Sequence, residues 1–119
     1  MPQVLILDST GGALTARNLK DTLETALHTI VAKELGTSDI LLDPSKVGVV
    51  TIPCSMNYFE AGPTSQICIM VFAHWSQERE DNLESVRVPQ IAAGVREILP
   101  EDICGGVFVR LAPGGFAKF

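Results

Sequence analysis

Met1-Pro2-Gln3-Val4-Leu5-Ile6-Leu7-Asp8 opens the chain, and its reading decides the rest. The apolar run at 4–7 is nearly continuous, the pattern of a strand buried on both faces. Ser9-Thr10-Gly11-Gly12 then turns the chain. Leu19, Leu23, Ala26, Leu27, Ile30, Val31 and Leu35 form a helical stripe over 14–35, and Gly36 is placed to stop it as the C′ residue. A turn-rich connection with Asp43-Pro44 leads to a second apolar strand at 47–52. Strand, helix and strand thus occupy about fifty residues, the length of a parallel crossover unit.

The second half repeats this order. Ile67-Cys68-Ile69-Met70-Val71-Phe72 predicts a strong strand within 66–75. Leu83, Val86, Ile91, Val95, Ile98 and Leu99 mark a second helix ended by Pro100, and Val107-Phe108-Val109-Arg110-Leu111 closes the chain as a strand. Leu19 and Leu83 hold matching places in the two helices. The fold class is therefore α+β with element order β-α-β-β-α-β. Two strand-helix-strand pseudo-repeats, about 1–57 and 65–119, make one domain with a four-stranded core sheet and two helices on one face. Residues 58–64 join the halves, and Tyr58-Phe59 either wall a pocket or cover the core. Pro89 falls inside the second helical stripe, where an interior proline costs about 3 kcal/mol. The helix therefore either kinks there or restarts with Pro89 in its first turn.

Composition narrows the function classes. The 119 residues are 46% hydrophobic and 19% charged, which describes a globular chain. Nine basic residues against 14 acidic give a net charge of −5, and no basic stripe exists to meet nucleic acid. The apolar runs are too short for a membrane helix. The opening lacks the basic region and long apolar core of a signal peptide, so the expected location is cytoplasmic. Cys54, Cys68 and Cys104 form no C-x-x-C pair and read as incidental thiols. Gly11-Gly12 and Gly105-Gly106 lack nucleotide-loop spacing, no group has metal spacing, and no nucleophile elbow is present.

Pro2 is the residue with latent chemistry. Methionine before a small residue is normally removed, which leaves proline with a free secondary amine held rigid by its ring. An α-amino group ordinarily titrates near about 7.7–8.0. Burial beside cations lowers that value towards the pH at which a base works best. A Met-Pro opening by itself carries no function, so the rest of the chain has to supply the argument.

With Pro2 ahead of the first strand, Gly36 at the helix end, the strong strand at 67–74 and the closing strand at 107–111, the chain resembles the tautomerase superfamily. In particular it resembles the macrophage migration inhibitory factor and 5-carboxymethyl-2-hydroxymuconate isomerase branches. The resemblance covers essentially the whole chain. It implies a homotrimer with a site at each subunit boundary, and cofactor-independent keto-enol proton transfer on a small carboxylated substrate. Pro2 would be the general acid/base, with no metal or cofactor. A base must stand over the carbon, and a donor or cation must meet the oxygen as charge develops.

The cations and pocket residues follow from the same comparison. Phe108 and Arg110 fall where that branch has tyrosine and asparagine, on the strand that supplies a neighbouring subunit's pocket. Phe108 lacks the tyrosine hydroxyl, so recognition of phenylpyruvate-type substrates is not carried over. Arg110 either binds substrate, lies in solvent or pairs with a core carboxylate. Lys33 matches the pocket lysine when counted from the N-terminus; counted from Gly36, the match is Thr37. A lysine in the last turn also suits the helix dipole. His74 ends the third strand, where relatives line the pocket, though a lone histidine there is commonly structural. Arg79 in its charged turn is expected to be solvated. Two other readings stand beside the enzyme: a non-catalytic trimeric binding or signalling protein of the same fold, and a ferredoxin-like small-ligand module with the same element order.

Overall fold

The computed structural model describes residues 2–54, 66–113 and 117–119. Met1 and the connection at 58–64, with Tyr58 and Phe59, lie outside the described residues. Strand β1 (Gln3–Asp8) is followed by a short helix α1 (Ala13–Ala16), the long helix α2 (Lys20–Leu35) and β2 (Gly48–Pro53). Then come β3 (Ile67–His74), α3 (Gln77–Asp81), a π-helical turn (Leu83–Arg87), α4 (Val88–Ile98) and β4 (Gly105–Ala112). The sheet order is β2-β1-β3-β4. β1 and β2 are parallel, as are β3 and β4, while β1 and β3 run antiparallel at the centre. Each half is an unsplit strand-helix-strand unit. A ferredoxin-like domain interleaves its units, so that strands joined by a helix are not neighbours; direct pairing of β1 with β2 rules that alternative out. No helix among the described residues is long and apolar enough to cross a membrane.

Alternation along the strands decides what is core. Val4 and Ile6 of β1 and Ile69 and Val71 of β3 are at most 1% exposed and meet Leu23, Leu27, Val31 and Leu35 of α2. Ile91, Val95 and Leu99 occupy the corresponding stripe in the second half and are buried too. The opposite face has no helix over it. Register lays that face out in three rows across the sheet: Gly48, Gln3, Phe72 and Arg110; Val50, Leu5, Met70 and Phe108; Ile52, Leu7, Cys68 and Gly106. Val50 is 48%, Ile52 40% and Phe108 57% exposed. The second row is wholly apolar, and the polar side chains stand in the row nearest the N-terminus of β1.

Two sequence expectations change in detail, and a third point left open is decided. The stripe over 14–35 breaks into α1 and α2, because Asn18 adopts a left-handed φ of 58° that ends the first turn. Gly36 ends α2 with extended backbone (φ −62°, ψ 154°), without the left-handed C′ geometry its glycine suggests. Pro89 takes the restart option, sitting in the first turn of α4, directly after a π-helical turn and with Arg87 already in helical geometry. The π-helical turn just before it absorbs the register change.

Two glycines sit at close approaches of different kinds. A Cβ on Gly105 would lie 2.0 Å from the Ile67 carbonyl oxygen, which is sheet backbone. A Cβ on Gly94 would meet the Ile30 Cδ1 at 2.8 Å, the free end of a side chain between the two long helices. Gly105→Ala is therefore expected to destabilise by about 1–3 kcal/mol, and Gly94→Ala by less. The check is the urea midpoint of each variant at unchanged slope. The reverse ranking would show that the β3–β4 contact yields more readily than the helix pair.

Candidate active site at the Pro2 end of the sheet

The start of β1 lies between the start of β2 and the end of β3. Gly48 N donates to the Pro2 carbonyl at 3.0 Å, and Gln3 pairs with Phe72 in β3. Alternation puts Pro2 on the same side as Val4, and its side chain is fully buried. The C-terminal ends of α2, β3 and β4 meet at this end of the molecule, since both helices run back against their strands.

Two buried arginines organise this end. Arg79, 7% exposed, donates from Nε to the Leu35 carbonyl at 2.8 Å and from Nη1 to the His74 carbonyl at 2.7 Å. Arg87, 8% exposed, donates from Nη1 to the Glu34 and Gly36 carbonyls at 2.7 and 2.9 Å. Its Nε reaches Asn82 Oδ1 at 2.6 Å. These bonds take up the last carbonyls of α2, at the negative end of the helix dipole, so no left-handed glycine cap is needed. No carboxylate ion-pairs with either guanidinium among the described residues. Burial, then the charge of Arg87, pulls the Arg79 pKa below the usual guanidinium value, while Glu78 acts in the opposite sense.

The expectation of a solvated Arg79 is thus overturned: its turn folds back over the end of α2 and the head enters the protein. Arg87 was missed as well, although a signal existed. It stands in the four-residue series Leu83, Arg87, Ile91, Val95, where an arginine interrupts an apolar stripe. A charged group in that stripe has to find acceptors inside the protein.

The remaining candidates separate by face. Arg110 and Phe108 are exposed on the helix-free side of the sheet, opposite to the side holding Pro2. Arg110 makes no ion pair among the described residues, so pairing with a core carboxylate is excluded there. Within one subunit, then, Arg110 and Pro2 are not brought together. His74 ends β3 opposite Ala112 and is exposed; its carbonyl serves Arg79, and its ring has no hydrogen-bond partner among the described residues. Lys33 is exposed in the last turn of α2 at the Pro2 end. Thr37 is spent on a local turn, its N–H donating to the Ile40 carbonyl and its Oγ1 accepting from Ile40 N. Of the two positions suggested for a pocket lysine, only Lys33 carries a polar head without a partner among the described residues. Among the described residues no cluster of His, Cys, Asp and Glu is arranged to hold a metal.

Solved structures with this architecture are recognisable at low sequence identity. A 5-carboxymethyl-2-hydroxymuconate delta-isomerase structure is similar over 100% of this chain and 88% of its own, at 15% identity and a TM-score of 0.61. Native Ps01740 is similar over 98% of this chain and 99% of its own, at 12% identity and a TM-score of 0.60. A fused 4-OT described as an asymmetric trimer aligns over 93% of this chain and 86% of its own, at 14% identity and a TM-score of 0.54. No family model and no curated protein matches the sequence. The resemblance read from the sequence holds for the fold: this chain has the tautomerase-superfamily architecture.

Proposed function

We propose that this chain is a cytoplasmic, cofactor-independent tautomerase or isomerase that moves a proton in keto-enol chemistry of a small carboxylated substrate. Pro2, freed by removal of Met1, is the general acid/base. The observation that carries this reading is the placement of Pro2. It heads an inner strand of a tautomerase-type sheet and is buried at the end of the molecule that also holds Arg79 and Arg87. Burial of an amine disfavours its protonated form, the direction a general base needs. The unpaired thiols of Cys54, Cys68 and Cys104 fit a reducing compartment.

Arg110 binds the substrate carboxylate or the developing oxyanion from a neighbouring copy, and Phe108 of that copy walls the pocket. Lys33 and His74 are placed to meet substrate at the rim of the Pro2 end. Support comes from the rows of the open face. An apolar surface of this size is covered in a stable protein, and the polar row containing Arg110 lies at the Pro2 end. The proposed assembly is a homotrimer in which each site takes Pro2 from one copy and Arg110 from the next. Sedimentation at micromolar concentration is expected to give a trimer; a stable monomer would remove Arg110 from the site. Intact mass together with ultraviolet loss of a 2-hydroxydienoate or phenylenolpyruvate tests the chemistry. Full turnover by a chain that keeps Met1 overturns it, because an acylated proline nitrogen has no basicity.

The full burial of Pro2 within one subunit favours a second reading, a binding protein of the same fold with no chemistry. Absence of turnover from a chain shown to begin at Pro2, tested on both enols, decides for it.

A further inference from the structure

A cavity of about 510 Å³ opens at the other end of the sheet from Pro2, between α4 and the β3–β4 pair. Its floor is Ile67, Ile69 and Val107, and its wall is the α4 face carrying Ala92, Ala93 and Arg96. Most of the lining is apolar, and the volume falls in the range of small-molecule sites.

Where the first half of the chain carries a histidine, this half carries a methyl group. The 64-residue offset that pairs Leu23, Leu27, Val31 and Leu35 of α2 with Arg87, Ile91, Val95 and Leu99 pairs His28 with Ala92. In the first half, His28 reaches across to the Pro44 carbonyl at 3.2 Å, in the 3₁₀ turn (Pro44–Lys46) that leads into β2. In the second half a methyl group stands at that position, with another at Ala93. β4 begins with Gly105-Gly106, which adds no side chain at the mouth.

The same offset pairs Arg96 with Ala32 of α2. Nη2 of Arg96 donates to the carbonyls of Leu99, Pro100 and Ile103, which anchors the guanidinium at the cavity. Nη1 and Nε have no hydrogen-bond partner among the described residues. Asp102 is a carboxylate that feels the charge of Arg96. It is bonded to Arg17 at 2.8 Å, and its carboxyl is held below the usual range mainly by that bond, with a smaller contribution from Arg96. A half-open, mostly apolar groove whose α4 wall of Ala92, Ala93 and Arg96 is exposed, with an anchored guanidinium at its edge, matches an amphiphile with an anionic head.

We propose that this cavity is a binding site for a small amphiphilic monocarboxylate, its apolar body against Ile67, Ile69 and Val107 and its carboxylate on Arg96. The site is separate from the Pro2 end and does not depend on the tautomerase reading.

The test is a methyl-resolved NMR titration of the full chain with octanoate and, in parallel, 1-octanol, which has the same apolar length without the charge. Octanoate is expected to give saturable shifts at the Ala92, Ala93 and Val107 methyls, with at least about tenfold weaker binding of octanol, the order of one charge-assisted contact. Ala92→Leu fills the hollow and leaves the charge in place, so it is expected to abolish the shifts. Arg96→Met keeps the stem and is expected to level octanoate with octanol. If that variant fails to fold, Ala92→Leu still decides the matter. No saturable shift at millimolar octanoate, equal affinity for the two probes, or unchanged binding in Ala92→Leu overturns the proposal. Shifts confined to residues near Pro2 and His74 do so as well.

Discussion

Pro2→Ala is expected to lower kcat by about 10²–10⁴, the usual contribution of a positioned acid/base, with little change in KM. The variant keeps a terminal amine but loses the ring that fixes its direction and the higher basicity of a secondary amine. Arg110→Ala is expected to act on kcat/KM by about tenfold to a hundredfold, the size of a charge-assisted contact. The two defects belong to different subunits if each site is shared. Equal mixing of Pro2→Ala and Arg110→Ala chains, unfolded and reassembled together, should then restore activity at about a quarter of the sites, those that draw an intact residue from each chain. The measurement is turnover of the mixture against each variant alone. Activity no greater than the mean of the two variants would place Pro2 and Arg110 in unconnected roles. An unchanged rate in Pro2→Ala is more damaging, since it removes the residue on which the mechanism rests.

Replacing Arg87 with leucine is expected to cost about 3 kcal/mol or more and to lower Tm by on the order of 10 °C. The size follows from what is left behind. The Glu34 and Gly36 carbonyls and the Asn82 side chain lose their donor, and an unsatisfied buried acceptor costs about 1–3 kcal/mol. Arg17→Leu is the matching control, because Arg17 pairs with Asp102 where the two side chains are 43% and 68% exposed. Such a pair contributes about 0–1 kcal/mol. Chemical denaturation of both variants checks the difference. Equal losses would mean that α2 finds another cap, with Arg79 or water taking over the stranded carbonyls.

The two arginines also explain an error in the sequence reading. Arg79 stands among Glu78, Glu80 and Asp81, and a charge-rich turn of that kind ordinarily faces water. What brings it inside is the end of a helix more than forty residues earlier in the chain, which presents carbonyls with no other donor. Nothing local to residues 77–81 carries that information. Arg87 differs, because its place in an apolar series was visible and only its partners were not.

The sequence by itself determined the α+β class, the repeated strand-helix-strand order, the apolar stripes of the two helices, and Pro2 as the residue to watch. These are properties of short-range periodicity, since a strand repeats every two residues and a helix every 3.6, and burial follows the repeat. The first strand, read as buried on both faces, instead buries Val4 and Ile6 and leaves Leu5 and Leu7 half-buried on the helix-free side. Only the tertiary structure decided that β1 pairs with β2 and β3, which removes the ferredoxin-like alternative. It also decided that Pro89 begins a helix, that two guanidiniums close the end of α2, and that Pro2 and Arg110 lie on opposite faces of one sheet. Those outcomes depend on which groups distant in the chain satisfy each other's hydrogen bonds and cover each other's apolar surface. That pairing is set by packing the whole chain at once, and no stretch of residues read alone contains it.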